Sequence, residues 1–328
     1  MTRTRSLATR LLSLSAAALL ALTTAGGASA APTPSGDKGQ ASVTSTAVDS
    51  TGAADYWTSD RMRAAIPGDV LAGKALERGN TSSAATVEKG KNTKVQAAKG
   101  KTTIAVNENP VDHIGKVFFT LGGTNYVCSG NAVVSANKST VATAGHCLNE
   151  GPGTFAANFI FVPAYLDGAA PYGRWSAKAL YAPGQWSGSG DMQYDTGFAV
   201  VNQLNGQYLS DVVTGSGVEF NAARGLTYKS YGYPAASPFN GETLKSCYGT
   251  ASDDRRNPQF NSQGIACDMT GGSSGGPWFI QGSTPETSGS NGLQNSINSY
   301  GYNSGSAVMY GPYWGTVIQQ TYASAAAS

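Results

Sequence analysis

Histidine is almost absent from this chain: 328 residues contain two, His113 and His146, and none follows position 146. There is also no Cys-x-x-Cys and no His-Glu-x-x-His, so a metal centre is poorly supported, and neither metal nor other cofactor is expected. Charge is thin, with charged residues at 13% and a formal net charge of +2. Residues 1–101 hold 13 Lys and Arg against 7 Asp and Glu, whereas residues 102–328 hold 9 against 13. A weakly acidic C-terminal part without a basic stripe excludes a nucleic-acid surface. Long apolar runs are missing too, because the run at residues 11–21 is shorter than the ~20 residues of a membrane span. No internal repeat is present.

What is present falls into three compositional segments. Arg3, Arg5 and Arg10, then an apolar run, then Ala28-Ser29-Ala30 make residues 1–30 a secretory signal with cleavage before Ala31. The product is expected to be soluble and extracellular. Residues 31–101 are rich in Ala, Thr, Ser, Lys and Gly, with Tyr56-Trp57 as their aromatics. A short helix is predicted at Ser59-Asp60-Arg61-Met62-Arg63-Ala64-Ala65-Ile66, capped by Ser59 and stopped by Pro67-Gly68. Little else there could build a core, which suits a propeptide or a disordered spacer. Lys99-Gly100-Lys101 would be an accessible processing site.

Residues 102–328 are long enough for one large all-β unit, with short apolar runs between turns. Lys116-Val117-Phe118-Phe119-Thr120-Leu121, a turn at Gly122-Gly123-Thr124-Asn125, and Tyr126-Val127-Cys128 read as a hairpin. Composition alone says sandwich or barrel. All four cysteines lie here, which suits an oxidising compartment and allows three pairings.

The chemistry is concentrated in two motifs. Gly271-Gly272-Ser273-Ser274-Gly275-Gly276-Pro277 offers a serine that a substrate backbone can approach, and Thr143-Ala144-Gly145-His146-Cys147 offers a rigidly held base. Gly272-Ser273-Ser274-Gly275-Gly276 also fits a Gly-x-Ser-x-Gly elbow, but that fold needs a histidine after the serine. An Asp, His, Ser order could use Asp112, yet the nucleophile then begins a helix, whereas Pro277 and Trp278-Phe279-Ile280 read as a strand. The order left is His, Asp, Ser, with the acid in Asp195-Thr196-Gly197-Phe198-Ala199-Val200-Val201. From about residue 104 onward these motifs resemble the chymotrypsin and trypsin family, most closely its bacterial secreted branch of glutamyl endopeptidase-like and trypsin-like members.

The resemblance implies an all-β fold of two six-stranded antiparallel β-barrels with the active site between them, and a serine endopeptidase acting on proteins or peptides as a monomer, away from nucleic acid and membrane. It makes Ser274 the nucleophile and Ser273 a turn residue, with His146 as the base. Asp195 becomes the orienting carboxylate, with Asp191 as its rival. The N–H groups of Gly272 and Ser274 would form the oxyanion hole. His113 is then a surface residue near the start of the catalytic part, and Asp167 and Asp211 are loop acids. The bridges become Cys128–Cys147 and Cys247–Cys267, and residues 31–101 become a propeptide ahead of a 102–328 catalytic domain.

Ser273 stands where the family usually has Asp, so a new N-terminal amine has no ion-pair partner there. Activation would depend on clearing the prosegment from the cleft, or the hole would be formed from the start. Asp268, six residues before Ser274, is either a pocket carboxylate for a substrate Arg or Lys or a structural acid bonded to nearby amides. No histidine lies in the strand after the nucleophile, which weakens a glutamate preference. Ser299, Tyr300 and Gly301 resemble the strand that pairs with substrate backbone, with Tyr300 on a pocket wall. Two other classes stay open: a protease-like fold kept as a non-catalytic binding module, and a wall-associated structural protein, suggested by the Gly, Ser and Tyr content.

Overall fold

In the computed structural model, which describes residues 43–79, 105–302 and 307–328, the N-terminal stretch is folded onto the body of the protein. It comprises β1 (Val43–Ala47), α1 (Ala53–Tyr56), α2 (Ser59–Ala64), β2 (Ile66–Pro67) and α3 (Asp69–Gly79). The short helix predicted from sequence is α2, but its cap is Thr58, whose side chain accepts from the Arg61 amide at 3.3 Å. Thr58 has the extended backbone that a cap needs, while Ser59 is already helical. The little apolar surface this stretch has is mostly buried against the barrel. Trp57 is fully buried with Ala53 and Met62 against Phe118, Val127 and Ile160, and its indole N–H donates to the Asn158 carbonyl at 2.6 Å. A segment too short to bury an apolar face on itself does so on a neighbour's surface.

After β3 (Val106–Asn107), a hairpin of β4 (Ile114–Leu121) and β5 (Thr124–Val133) begins a barrel. Gly122 and Gly123 have φ of +56° and +79°, so the turn needs only these two residues, and Thr124 and Asn125, expected in the turn, already pair with Leu121 and Thr120. The barrel continues through β6 (Thr140–Thr143), β7 (Ala157–Pro163) and β8 (Trp175–Pro183), then α4 (Gly184–Ser189) and β9 (Gly197–Val201). Strand order β7-β4-β5-β6-β9 closes because β8 bonds to both β7 and β9, giving six strands without a free edge. Val117, Phe119, Val141, Phe161, Leu180 and Phe198 fill it. β1 adds to β8 outside the ring, and β2 lies parallel to β5 at Tyr126 and Val127.

The chain then passes α5 (Leu209–Val213) into β10 (Thr227–Gly232), β11 (Lys245–Thr250), β12 (Ser252–Asp253), β13 (Gln263–Ala266), β14 (Pro277–Ile280), β15 (Gln294–Ile297) and β16 (Val308–Gly311). These form a five-stranded sheet, β15-β14-β10-β11-β3, and a three-stranded one, β12-β13-β16. A final helix, α6 (Thr316–Ala326), returns to the first barrel, where Ile318 and Ala325 join the core and Tyr322 packs edge-on to Phe198. The protein is therefore mostly β, with one closed six-stranded barrel and two further sheets.

Two disulfides, Cys128–Cys147 and Cys247–Cys267, close loops of 19 and 20 residues. The first ties β5 to the turn carrying His146, and the second ties β11 to the residue after β13. Replacing Cys247 and Cys267 together by Ser should cost about 3 kcal/mol of stability by the chain-entropy scale for such a loop. Denaturant titration measures the loss, and non-reducing peptide mapping that joined Cys147 to Cys247 would refute the pairing.

Candidate active site

Asp195 is delivered by a single 3-10 turn, Met192–Tyr194, to the mouth of β9, where it is completely buried. Its Oδ1 accepts the backbone N–H of His146 at 2.8 Å, and its Oδ2 lies 2.8 Å from His146 Nδ1. Oδ2 also accepts the Ser299 hydroxyl at 2.5 Å. A carboxylate can only accept, so Nδ1 is the donor in this bond, and in the neutral imidazole the lone pair is then on Nε2. Nε2 is buried without a hydrogen-bond partner among the described residues. Asp191, the rival acid, is occupied elsewhere, since its carboxylate caps the 3-10 turn through the Gln193 amide at 3.0 Å.

β5 holds the serine turn against the cysteine that follows His146. The Ser129 amide donates to the Ser274 carbonyl at 2.7 Å, and that carbonyl lies 4.0 Å from Cys147 Sγ. The Ser129 hydroxyl donates to the Gly272 carbonyl at 2.9 Å, which points that carbonyl away from the site. No described residue accepts from the N–H of Gly272 or of Ser274, so both donors remain available. Gly272 has φ +95° and Gly275 +82°, the left-handed region that glycine tolerates without strain. Ser273 turns away, its hydroxyl donating to the Thr270 carbonyl at 2.7 Å.

The other expected site residues are dispersed in function. Ser299 places its hydroxyl on Asp195, while Tyr300 sends its phenol to Asp254 at 2.9 Å and pairs with Tyr310 through backbone. Gly301 is exposed beside them. Asp268 accepts the Ala105 amide at 2.6 Å, so one of its oxygens is committed to the chain's own backbone. His113, expected at the surface, is half-buried, edge-on to Phe279 and bonded to Asn131 at 2.7 Å. Asp211 pairs with Lys138 at the surface, and Asp167 sits in a loop with φ +47°. Cys128, His146 and Cys147 come close enough to suggest a metal cluster, but the two sulfurs are bonded to each other and offer no thiolate.

Two residues here had no sequence signal. Ser129 matters through two bonds to the serine loop that no local motif announces. Asp69, at the start of α3, reaches the site from the N-terminal stretch. A Cβ on Gly271 would fall 1.9 Å from Asp69 Oδ1, and burial raises the Asp69 carboxyl above the usual range while the neighbouring His146 opposes that shift. His146 is completely buried and Ser274 is 4% exposed with this stretch in place.

No protein-family model matches the chain. A Bacillus subtilis protein named extracellular metalloprotease is 33% identical over 79 residues, and the chain spans about a quarter of that relative's length. Among solved structures, the protease Anisep from Arthrobacter nicotinovorans is 73% identical, with 68% of this chain and 99% of that chain covered and a TM-score of 0.65. A thermostable serine protease, AL20, from an extremophilic microorganism is 49% identical, with 66% and 98% covered and a TM-score of 0.62. A Glu endopeptidase, 19% identical over 70% of this chain at a TM-score of 0.54, shares the fold. With a buried His–Asp pair facing a serine turn on a six-stranded barrel, and with such identity over nearly the whole length of two protease structures, the chain belongs to the bacterial serine proteases of chymotrypsin-like fold.

Proposed function

We propose that the chain is the precursor of a secreted serine endopeptidase that hydrolyses peptide bonds in proteins and peptides through His146, Asp195 and Ser274. The observation that carries this is the Asp195–His146 pair, which leaves Nε2 unpartnered beside a turn whose Gly272 and Ser274 amides are also free. Nε2 takes the Ser274 proton as Oγ attacks the scissile carbonyl carbon, and the two amides receive the developing oxyanion. The imidazolium, steadied by Asp195, then protonates the leaving amine. Water, deprotonated by the same Nε2, releases the acyl group and restores Ser274.

The domain reading is 1–30 signal peptide, 31–101 propeptide and 102–328 catalytic domain, acting as an extracellular monomer on protein or peptide substrates without nucleic acid or membrane. Residues 1–30 and the Lys99-Gly100-Lys101 site lie outside the described residues, and none of the described helices is long and apolar enough to cross a membrane. One observation supports the boundary near 101. Residues 102–328 are 227 of 328, a share close to the 68% and 66% matched by nearly complete protease chains. The two sheets of the C-terminal half, stitched by Cys247–Cys267, would make up the second barrel.

The N-terminal stretch acts as the plug in this reading. Gly68 donates to the Val127 carbonyl at 2.9 Å, Asp69 lies on Gly271, and Ala72 and Ala75 pack on Trp186 and Tyr300. Arg78 then donates to the Gly151 carbonyl at 2.5 Å. A fluorophosphonate probe tests both parts. The processed protein should label at Ser274, the Ser274→Ala variant should not, and intact-mass spectrometry should find the precursor labelled at least ~10-fold more slowly, as expected when the open state is a minor one. Absence of labelling in processed protein would favour the binding-module alternative.

A further inference from the structure

Asp254 follows β12 and is 1% exposed, an uncommon place for a carboxylate. Its Oδ2 accepts the phenols of Tyr300 at 2.9 Å and Tyr302 at 2.6 Å. Its Oδ1 accepts the amides of Arg256 at 2.9 Å and Asn257 at 3.1 Å. The four bonds saturate the carboxylate, and none of them goes to the triad. Burial first, then the charge of Asp254, pushes both phenols upward, so they stay protonated and donating.

These bonds complete an anchoring series along the segment that follows β15. Asn298 is held by Ser230 and Trp278, which donate to its Oδ1 at 2.7 Å each, and Ser299 is held by Asp195. Tyr300 and Tyr302 are held by Asp254, and the Tyr300 ring stacks on Tyr310 at 5.1 Å and 10°. The exposed side of this wall already has an occupant: Ala72 and Ala75 of α3 share one buried cluster with Tyr300, Trp186 and Met192.

We infer that Asp254 is a positioning residue for substrate: by fixing the phenols of Tyr300 and Tyr302 it keeps the backbone at Ser299 and Gly301 in register for the acyl side of the polypeptide, against a wall that takes a small aliphatic side chain. The inference rests on the serine peptidase reading. Loss of the carboxylate takes the acceptor from the buried Tyr300 phenol and the half-buried Tyr302 phenol, and the segment carrying them can shift. A displacement of about 1 Å in a substrate-aligning element costs up to about 10²-fold in rate.

The test compares processed wild type, Asp254→Asn and Tyr302→Phe on two amides chosen from a peptide-library profile of the wild type. One carries a single residue on the acyl side and the other carries four, with Ala at the inner positions. For Asp254→Asn, kcat/KM on the long amide should fall about tenfold or more relative to the short one, while fluorophosphonate labelling changes by less than about threefold. Tyr302→Phe, which leaves the loop amides capped by Asp254, should move the same ratio in the same direction and guards against misfolding of the first variant. Equal losses on both amides and on labelling would make Asp254 purely structural and overturn the inference, as would an unchanged ratio in both variants. Wild type that does not label at all would overturn the peptidase reading, and this inference with it.

Discussion

Asp195→Asn should lower kcat by about 10⁴-fold and leave the protein folded. The reason lies in the three bonds that Asp195 accepts, from the His146 amide, His146 Nδ1 and the Ser299 hydroxyl. An asparagine has one accepting oxygen. With that oxygen on the His146 amide, its NH₂ faces Nδ1, the proton moves to Nε2, and the lone pair that should receive the Ser274 proton is lost. Ser274→Ala and His146→Ala should each abolish turnover to a similar extent, and the double variant should be no worse, because the residues act as one unit. Asp191→Asn is the control. Asn caps a turn about as well as Asp, so kcat should stay within about twofold. Steady-state kinetics on the five variants, with circular dichroism for the fold, checks the assignment; a crippled Asp191→Asn beside a mild Asp195→Asn would reverse it.

Gly272→Ala should lower kcat by about 10²–10³-fold, corresponding to roughly 2.7–4 kcal/mol, with little change in KM. At φ +95° the new Cβ would stand 2.7 Å from Ala235 Cβ and 2.9 Å from both Ala235 N and the Tyr233 carbonyl oxygen. Two of those neighbours are backbone and cannot give way cheaply. The turn must move instead, and the Gly272 N–H no longer points where the oxyanion forms. Gly188→Ala is the matched control, because nothing lies within 4 Å of its added Cβ and an alanine suits the interior of α4. Single-turnover acylation would show the loss directly, and an acylation rate equal to wild type would exclude Gly272 as a donor.

Much of the site was legible in the residues because its parts are local. Thr143-Ala144-Gly145-His146-Cys147 and the serine loop each carry their chemistry within a few positions, and their order along the chain eliminates folds that need a later histidine. The β4–β5 hairpin was legible for the same reason, since two glycines with left-handed backbone mark the turn by themselves. Other features depend on partners far away in sequence and have no local sign. Asp268 looks like a pocket carboxylate by spacing, but the amide it accepts belongs to Ala105, 163 residues earlier. Asp254 resembles any loop acid until Tyr300 and Tyr302 close over it.

By itself, then, the sequence determined the proposed triad and its order, the mainly β character and the placement of cysteines in one segment, because each follows from short-range residue chemistry. Only the tertiary structure decided that the stretch of residues 43–79 folds onto the barrel and the serine loop. Its apolar residues are too few to form a core alone, and they gain burial only when Trp57, Leu71, Ala72 and Ala75 meet surfaces built by residues more than forty positions further along the chain.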